Sequence, residues 1–206
     1  MATRPNIEPL FDAGKYKEAA DCLPAPDEME NDYGTIERTS VPAKTIFYSI
    51  RQDRKCAFKK KSGQVKHKLF FFCKDLNLCL NATGEDETLP VWKVSTMKEL
   101  KIIRIKNHRR DFFFPFWGKD GYDESLFNIS DDSEFETILY YYLMKHKLDG
   151  FEAINIIDQG GFGFNPEMPE FAFLEDVVEK EIKIQRCLPV RDFLQQKRKR
   201  KRNLIF

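Results

Sequence analysis

Basic side chains crowd the segment between residues 51 and 68 and offer the clearest chemistry in this sequence. They flank a turn centred on Ser62 and Gly63. On a strand, Lys66 and Lys68 point to the same face, because the side-chain period is two. Ammonium groups that project together can bind a doubly charged phosphate, whereas lysines on a strand edge can also serve only to block strand addition. The candidate binding residues are Arg54, Lys55, Lys59, Lys60, Lys61, Lys66 and Lys68.

A second basic run lies near the end of the sequence and precedes three apolar residues, 204–206. Such a run can act as an electrostatic anchor on an anionic surface, where each cation contributes about 1 kcal/mol. A nuclear-import tract and a solvating tail are the alternatives that the sequence leaves open. The residues of this secondary anchor are Lys197, Arg198, Lys199, Arg200, Lys201 and Arg202.

Other kinds of chemistry find little support in the sequence. The three histidines, His67, His108 and His146, do not lie at metal-ligand spacing. Five cysteines form an odd set without a C-x-x-C pair, which favours reduced thiols over a disulfide or metal framework. No nucleophile-elbow or P-loop motif is present, and no pair of carboxylates can be singled out. We therefore expect a protein that is not an enzyme and that needs no metal or cofactor.

The composition favours one folded unit with an extension. The chain has 206 residues, of which 42% are hydrophobic and 14% aromatic, enough for a sizeable core. The formal net charge is only +1, but acidic and basic residues lie in separate stretches of the sequence. Asp120 to Glu136, for example, carries seven acidic residues and no basic one. The sequence has neither a signal-peptide core nor an apolar run long enough to span a bilayer. We expect a cytoplasmic protein that touches membranes only peripherally.

One segment, Ser130 to Lys147, has the pattern of an amphipathic helix. Its acidic residues come first and its basic residues last, as the helix dipole favours. Gly150 follows and permits the chain to leave the helix. The apolar stripe expected to face the core consists of Phe135, Ile138, Leu139, Tyr142 and Leu143.

Short strand-like runs surround this helix. Before it we expect strands over 45–50, 66–74, 76–80, 89–96, 100–106 and 125–129, and after it over 153–157, 170–174 and 179–187. Strands followed by one long helix suggest a mainly β fold, a pleckstrin-homology-like barrel or sandwich closed by the helix, with extra strands after it. The expected organisation is an acidic arm with a short helix (1–42), a core (43–150), additional strands (151–190) and a basic tail (191–206).

Several segments resemble the tail-homology-one domain of class I myosins. They are LFDAGKYKEA near the start, the stretch from Ala43 to Leu80, and INIIDQGGFGF after the helix. The resemblance covers neither a motor domain nor IQ segments. It implies the pleckstrin-homology-like fold and binding of anionic phospholipids, including phosphoinositides, and it carries the lipid contacts onto Lys59, Lys66 and Lys68. It also implies actin-cytoskeleton or myosin-complex partners.

The sequence thus predicts a non-catalytic domain that attaches to anionic phospholipids at the cytoplasmic face of a membrane. A nucleic-acid-binding module is a less favoured alternative, in which Phe70 to Phe72 or Phe112 to Phe114 would stack on bases. Consecutive phenylalanines on a strand alternate between its faces, so some of them belong to the core. A peptide-binding scaffold of the same fold is the other alternative.

Overall fold

The structure is a computed structural model that describes residues 7–28, 36–50, 69–81, 87–106, 132–154 and 169–195. The helices are α1 (Glu8–Asp12), α2 (Tyr16–Cys22), α3 (Leu76–Asn81), α4 (Asp132–Lys145) and α5 (Glu175–Glu181), and residues 190–195 are also helical. A 3-10 turn spans Pro26–Glu28. The strands are β1 (Ile36–Val41), β2 (Ile46–Ile50), β3 (Leu69–Cys73), β4 (Pro90–Thr96), β5 (Leu100–Lys106), β6 (Gly150–Ile154), β7 (Glu170–Leu174) and β8 (Ile182–Pro189).

All eight strands belong to one sheet in the order β1-β5-β6-β7-β3-β2-β4-β8. Strands β5 and β6 are parallel, and every other neighbouring pair is antiparallel. Because β7 pairs with β6 on one side and β3 on the other, it joins two groups of strands. Helix α4 lies in the crossover between the parallel strands, as a parallel connection requires.

Helix α4 packs on one face of the sheet with α1 and α2. Ile138, Leu139, Tyr142 and Leu143 are fully buried there, which confirms the predicted helix and these members of its stripe. The hydroxyl of Tyr142 donates a hydrogen bond to the carbonyl of Pro24 at 3.0 Å. The side chain of Phe135 lies outside the described part of the chain.

The opposite face carries an aromatic core under α5. The ring centre of Phe47 lies 4.9 Å from that of Phe171 and 5.4 Å from that of Phe173, and both pairs meet edge to face. Such contacts add about 0.5–1.5 kcal/mol each beyond area burial. Val178 of α5 is fully buried against the same cluster. The central strands of the sheet are therefore buried on both faces.

The predicted pleckstrin-homology-like barrel is wrong. The strands form an open mixed sheet that contains a parallel pair, and several short helices cover its faces. Helix α4 lies against a face of this sheet and does not close the end of a barrel. The order of strands and helix along the sequence had suggested closure, but pairing between distant strands decides the topology.

Two local predictions also require correction. Residues 76–80 form helix α3, because the carboxylate of Asp75 accepts the N–H of Asn77 at 2.6 Å and so starts a helical turn. The stretch 179–187 divides between the end of α5 and β8. Strand β1 was not expected within the acidic arm. The division into 1–42, 43–150, 151–190 and 191–206 remains a prediction.

Candidate functional site

The predicted binding residues fall outside the described part of the chain. Those of the first basic segment lie between Ile50 and Leu69, and those of the second follow Gln195. Their roles remain predictions, and the structure gives the positions from which the two segments leave the fold. The residues concerned are Arg54, Lys55, Lys59, Lys60, Lys61, Lys66, Lys68, Lys197, Arg198, Lys199, Arg200, Lys201 and Arg202.

The strands that lead toward the two basic segments end on the same side of the sheet. Ile50, the last residue of β2, pairs with Val91 of β4, and Val91 pairs with Leu188 near the end of β8. Neighbouring strands are about 4.8 Å apart, so the backbones of Ile50 and Leu188 are about 10 Å apart. Both strands are antiparallel to β4, and they therefore point the same way.

A hydrophobic cluster fixes these strand ends, and we name it the anchor cluster. The helical residues 190–195 pack in it through Val190 and Phe193, and Ile50 contacts its edge. The backbone N–H of Val190 donates to the carbonyl of Leu89 at 3.0 Å. The last described residues before the second basic segment are thus held against the sheet. The buried members of the anchor cluster are Cys73, Cys79, Leu80, Val91, Val190 and Phe193.

Charge is concentrated on the two basic segments. Residues 51–68 contain eight Lys or Arg and one Asp, and residues 196–206 contain six Lys or Arg and no acidic residue. Together they carry a formal charge of +13, so a total of +1 leaves −12 on the rest of the chain. Two segments far apart in sequence are therefore strongly basic, and the described strands that lead toward them end on the same side of the sheet. Such an arrangement suits a polyanion.

A separate charged group crosses β1, β5 and β6. The Nε atom of Arg104 donates to Oε2 of Glu152 at 3.1 Å, and its Nη1 atom lies 3.7 Å from Oε2 of Glu37. Glu152 is buried, and the register places these three residues side by side on neighbouring strands. The contacts neutralise a buried carboxylate and fix the register. We assign this group a structural role.

Two buried thiols meet in the anchor cluster. A hydrogen bond with Cys73 raises the pKa of the Cys79 thiol far above its usual range, and burial and the charge of an ionised Cys73 act in the same direction. Neither thiol is in a disulfide. Sequence reasoning missed the pair, because five residues separate the two cysteines and the expected signal was C-x-x-C.

Other site types are not found among the described residues. No three His, Cys, Asp or Glu side chains there lie where they could hold a metal ion. No helix in the described part is long and apolar enough to cross a membrane. Of the proposed stacking residues, Phe72 is only 2% exposed and cannot stack on a base, and Phe112 to Phe114 lie outside the described ranges.

Comparisons with known proteins give no family. No protein-family model matches this chain, and no curated protein matches it. A crystal structure of the M. tuberculosis MbcT-MbcA toxin-antitoxin complex contains a chain with a TM-score of 0.42 and 8% identity. The alignment covers 87% of this chain and 93% of that chain. At this TM-score the likeness supports no statement about function.

The resemblance to class I myosin tails is therefore wrong. No family model supports it, and the open mixed sheet lacks the architecture that it implied. The function drawn from it, attachment to phospholipids and phosphoinositides through a pleckstrin-homology-like domain, is wrong for the same reason. The expectation of cytoskeletal or myosin-complex partners loses its support with it.

Proposed function

We propose that this chain is a non-catalytic nucleic-acid-binding protein whose two basic segments engage the same polyanion. The observation that carries the proposal is the row Ile50–Val91–Leu188, which places the ends of the two strands that lead toward the segments beside each other. The site residues would be those named above in segments 51–68 and 196–206.

The excess of charge favours a nucleic acid as the polyanion. Duplex DNA presents one negative charge per about 1.7 Å of its axis, and each phosphate neutralised by Lys or Arg releases condensed counterions. A net charge of +13 on the two segments can contact many phosphates at once. The remaining −12 repels the same partner, so the molecule would approach with its basic segments first.

The protein would contact the phosphates of the nucleic acid and not its bases. The aromatic residues in the described part of β3 pack in or against the core, and Phe72 is 2% exposed. Contacts to phosphate position a protein without carrying sequence information. We therefore expect little sequence preference and a steep dependence on salt. This differs from the stacking platform expected from the sequence.

Fluorescence anisotropy with a short labelled DNA duplex tests the proposal. The logarithm of the binding constant should fall linearly with the logarithm of the salt concentration, with a slope of about −0.9 for each phosphate contacted. Neutralising Lys59, Lys60 and Lys61 to Gln should make that slope shallower by up to about 3. Removing the residues after Gln196 should also make the slope shallower, independently of the lysine substitutions.

Matched controls come from exposed lysines elsewhere on the fold. Lys98 and Lys180 pair with Glu181 and Asp176, so changing both to Gln removes two charges away from the basic segments. This variant should bind as the unchanged protein does. A slope near zero, or equal binding of a polyglutamate chain, would contradict nucleic-acid binding. If only one segment affected the slope, joint engagement would be wrong.

A further inference from the structure

Strands β4 and β8 contain three basic residues and no acidic one, and the neighbouring strand β2 contains no acidic residue either. Lys93 lies on β4, and Lys183 and Arg186 lie on β8. Both residues of β8 are exposed, and Lys93 is partly exposed. We name these three residues the basic row. They lie outside both basic segments.

Lys93 points to the face of the sheet that carries the anchor cluster. Its neighbours Trp92 and Val94 are buried in the aromatic core on the opposite face. Successive side chains of a strand alternate between faces, and Val91, two residues away, is buried in the anchor cluster. Lys93 is therefore about 7 Å along β4 from the row Ile50–Val91–Leu188, where the strands that lead toward the basic segments end.

A β-bulge in β8 brings the other two members of the basic row to the same face. Arg186 pairs with Lys93, and Lys183 pairs with Ser95, two residues farther along β4. Lys183 and Arg186 are three residues apart, so in a regular strand their side chains would point to opposite faces. Gln185 is the extra residue of the bulge and gives them a common face.

This placement of cations costs stability in the absence of an anion. Lys93 and Arg186 lie directly opposite each other on strands about 4.8 Å apart, and like charges in such positions repel. An anionic group that binds between the two side chains removes this repulsion. Because β8 is an edge strand, a large partner can reach the basic row from the open side of the sheet.

We propose that the basic row is a third contact for the nucleic acid and binds its phosphates. The inference rests on the proposed function and extends the contact surface from the two basic segments onto the sheet. Arginine can hold a phosphate through two parallel hydrogen bonds, and lysine binds it as a point charge. The alternative is that the bulge and the basic side chains only block strand addition at the edge.

The salt dependence of duplex binding by the full chain tests this inference. Changing Lys93, Lys183 and Arg186 together to Gln should make the slope shallower by about 1–3, because each lost phosphate contact removes about 0.9. A variant that keeps the charges, with Lys93→Arg, Lys183→Arg and Arg186→Lys, should retain the slope of the unchanged protein.

A matched control removes three exposed lysines from the other half of the fold. Lys17 lies on α2, Lys101 lies on β5, and Lys147 follows α4. Changing these three residues to Gln alters the net charge by the same amount as the triple change in the basic row. This control should bind the duplex with the slope of the unchanged protein.

Lysine acetylation of the unchanged protein gives a second readout that needs no variant to fold. Lys183 should become less reactive toward an acetylating reagent when the duplex is bound, whereas Lys17 and Lys101 should react equally in both states, as mass spectrometry can measure. Equal labelling of Lys183, or an unchanged slope after the triple change, would overturn the inference and leave the proposed function standing. Failure of the unchanged protein to bind the duplex would overturn both.

Discussion

The Nε and Nη2 atoms of Arg104 each lie 3.1 Å from Oε2 of Glu152, which places a cation on β5 beside a buried carboxylate on β6. Changing Arg104 to Met should destabilise the fold by about 3 kcal/mol, because the carboxylate would stay buried without its partner. Urea unfolding measures the loss. Changing Glu152 to Leu in the same variant should recover much of it, and a double variant less stable than the single one would contradict this account.

The buried stripe of α4 should dominate the contribution of this helix to stability. Leu139 is fully buried, so changing it to Ala should lower the free energy of unfolding by about 2–5 kcal/mol. Met144 on the same helix is 52% exposed, and its change to Ala should cost less than about 0.5 kcal/mol. Equal midpoints for the two variants in urea would show that α4 does not pack as described.

Gly150, the first residue of β6, should not tolerate a side chain. A Cβ atom there would collide with the carbonyl oxygen of Ala172 and lie 3.0 Å from the Cα atom of Phe173. Both obstacles are backbone atoms of β7, so Gly150→Ala should cost about 3 kcal/mol or more. Gly14→Ala is the control, since it meets no atom within 4 Å and bears only the strain of φ +69°, about 1 kcal/mol. Thermal unfolding should rank the two variants in that order.

Stability should fall in alkaline solution because of Cys79. Its pKa is raised in the folded chain, above all by the hydrogen bond with Cys73, so the contribution is complete below the pKa of the unfolded thiol, about 8.5. Above that pH the unfolded chain loses the proton while the folded chain keeps it. The free energy of unfolding should then decrease by up to about 1.4 kcal/mol per pH unit.

The Cys79→Ala variant isolates this contribution. Measured under reducing conditions, its stability should decline less steeply between neutral and alkaline pH than that of the unchanged protein. Groups that do not contact Cys79 titrate in both proteins and cancel in the comparison, so the difference reports on Cys79 and its partner Cys73. Parallel curves would mean that Cys79 titrates alike in both states, which would contradict the shared hydrogen bond.

The sequence predicted the elements whose pattern is local. The apolar spacing in α4 has a helical period, and the β-branched and aromatic run of β2 favours a strand, so both were found. In α3 the spacing of Leu76 and Leu80 fits both a helix and a strand. The hydrogen bond to the Asp75 side chain favours the helix. Strand β1 has an exposed, polar interior, and so its sequence lacks the signal of a buried strand.

The sheet order could not be read from the sequence, because it depends on partners far apart in the chain. Ile36 pairs with Ile105, and Leu69 pairs with Leu174. The basic segments were visible in the sequence as charge, but the meeting beside Val91 of the strands that lead toward them was not. The contact of Cys73 with Cys79 was hidden for a related reason, since it follows from a helix that had been predicted as a strand.

The central position of β7 has a consequence for how the chain folds. Strands β1, β5 and β6 form one half of the sheet, and β3, β2, β4 and β8 form the other, and β7 is the strand that pairs with both halves. During synthesis the two halves cannot be joined before residues 170–174 leave the ribosome. Contacts between such distant segments slow folding. Until then the strands already made, β1, β5 and β6 on one side and β2, β3 and β4 on the other, keep open edges, so a nascent chain stalled before Glu170 is exposed to aggregation.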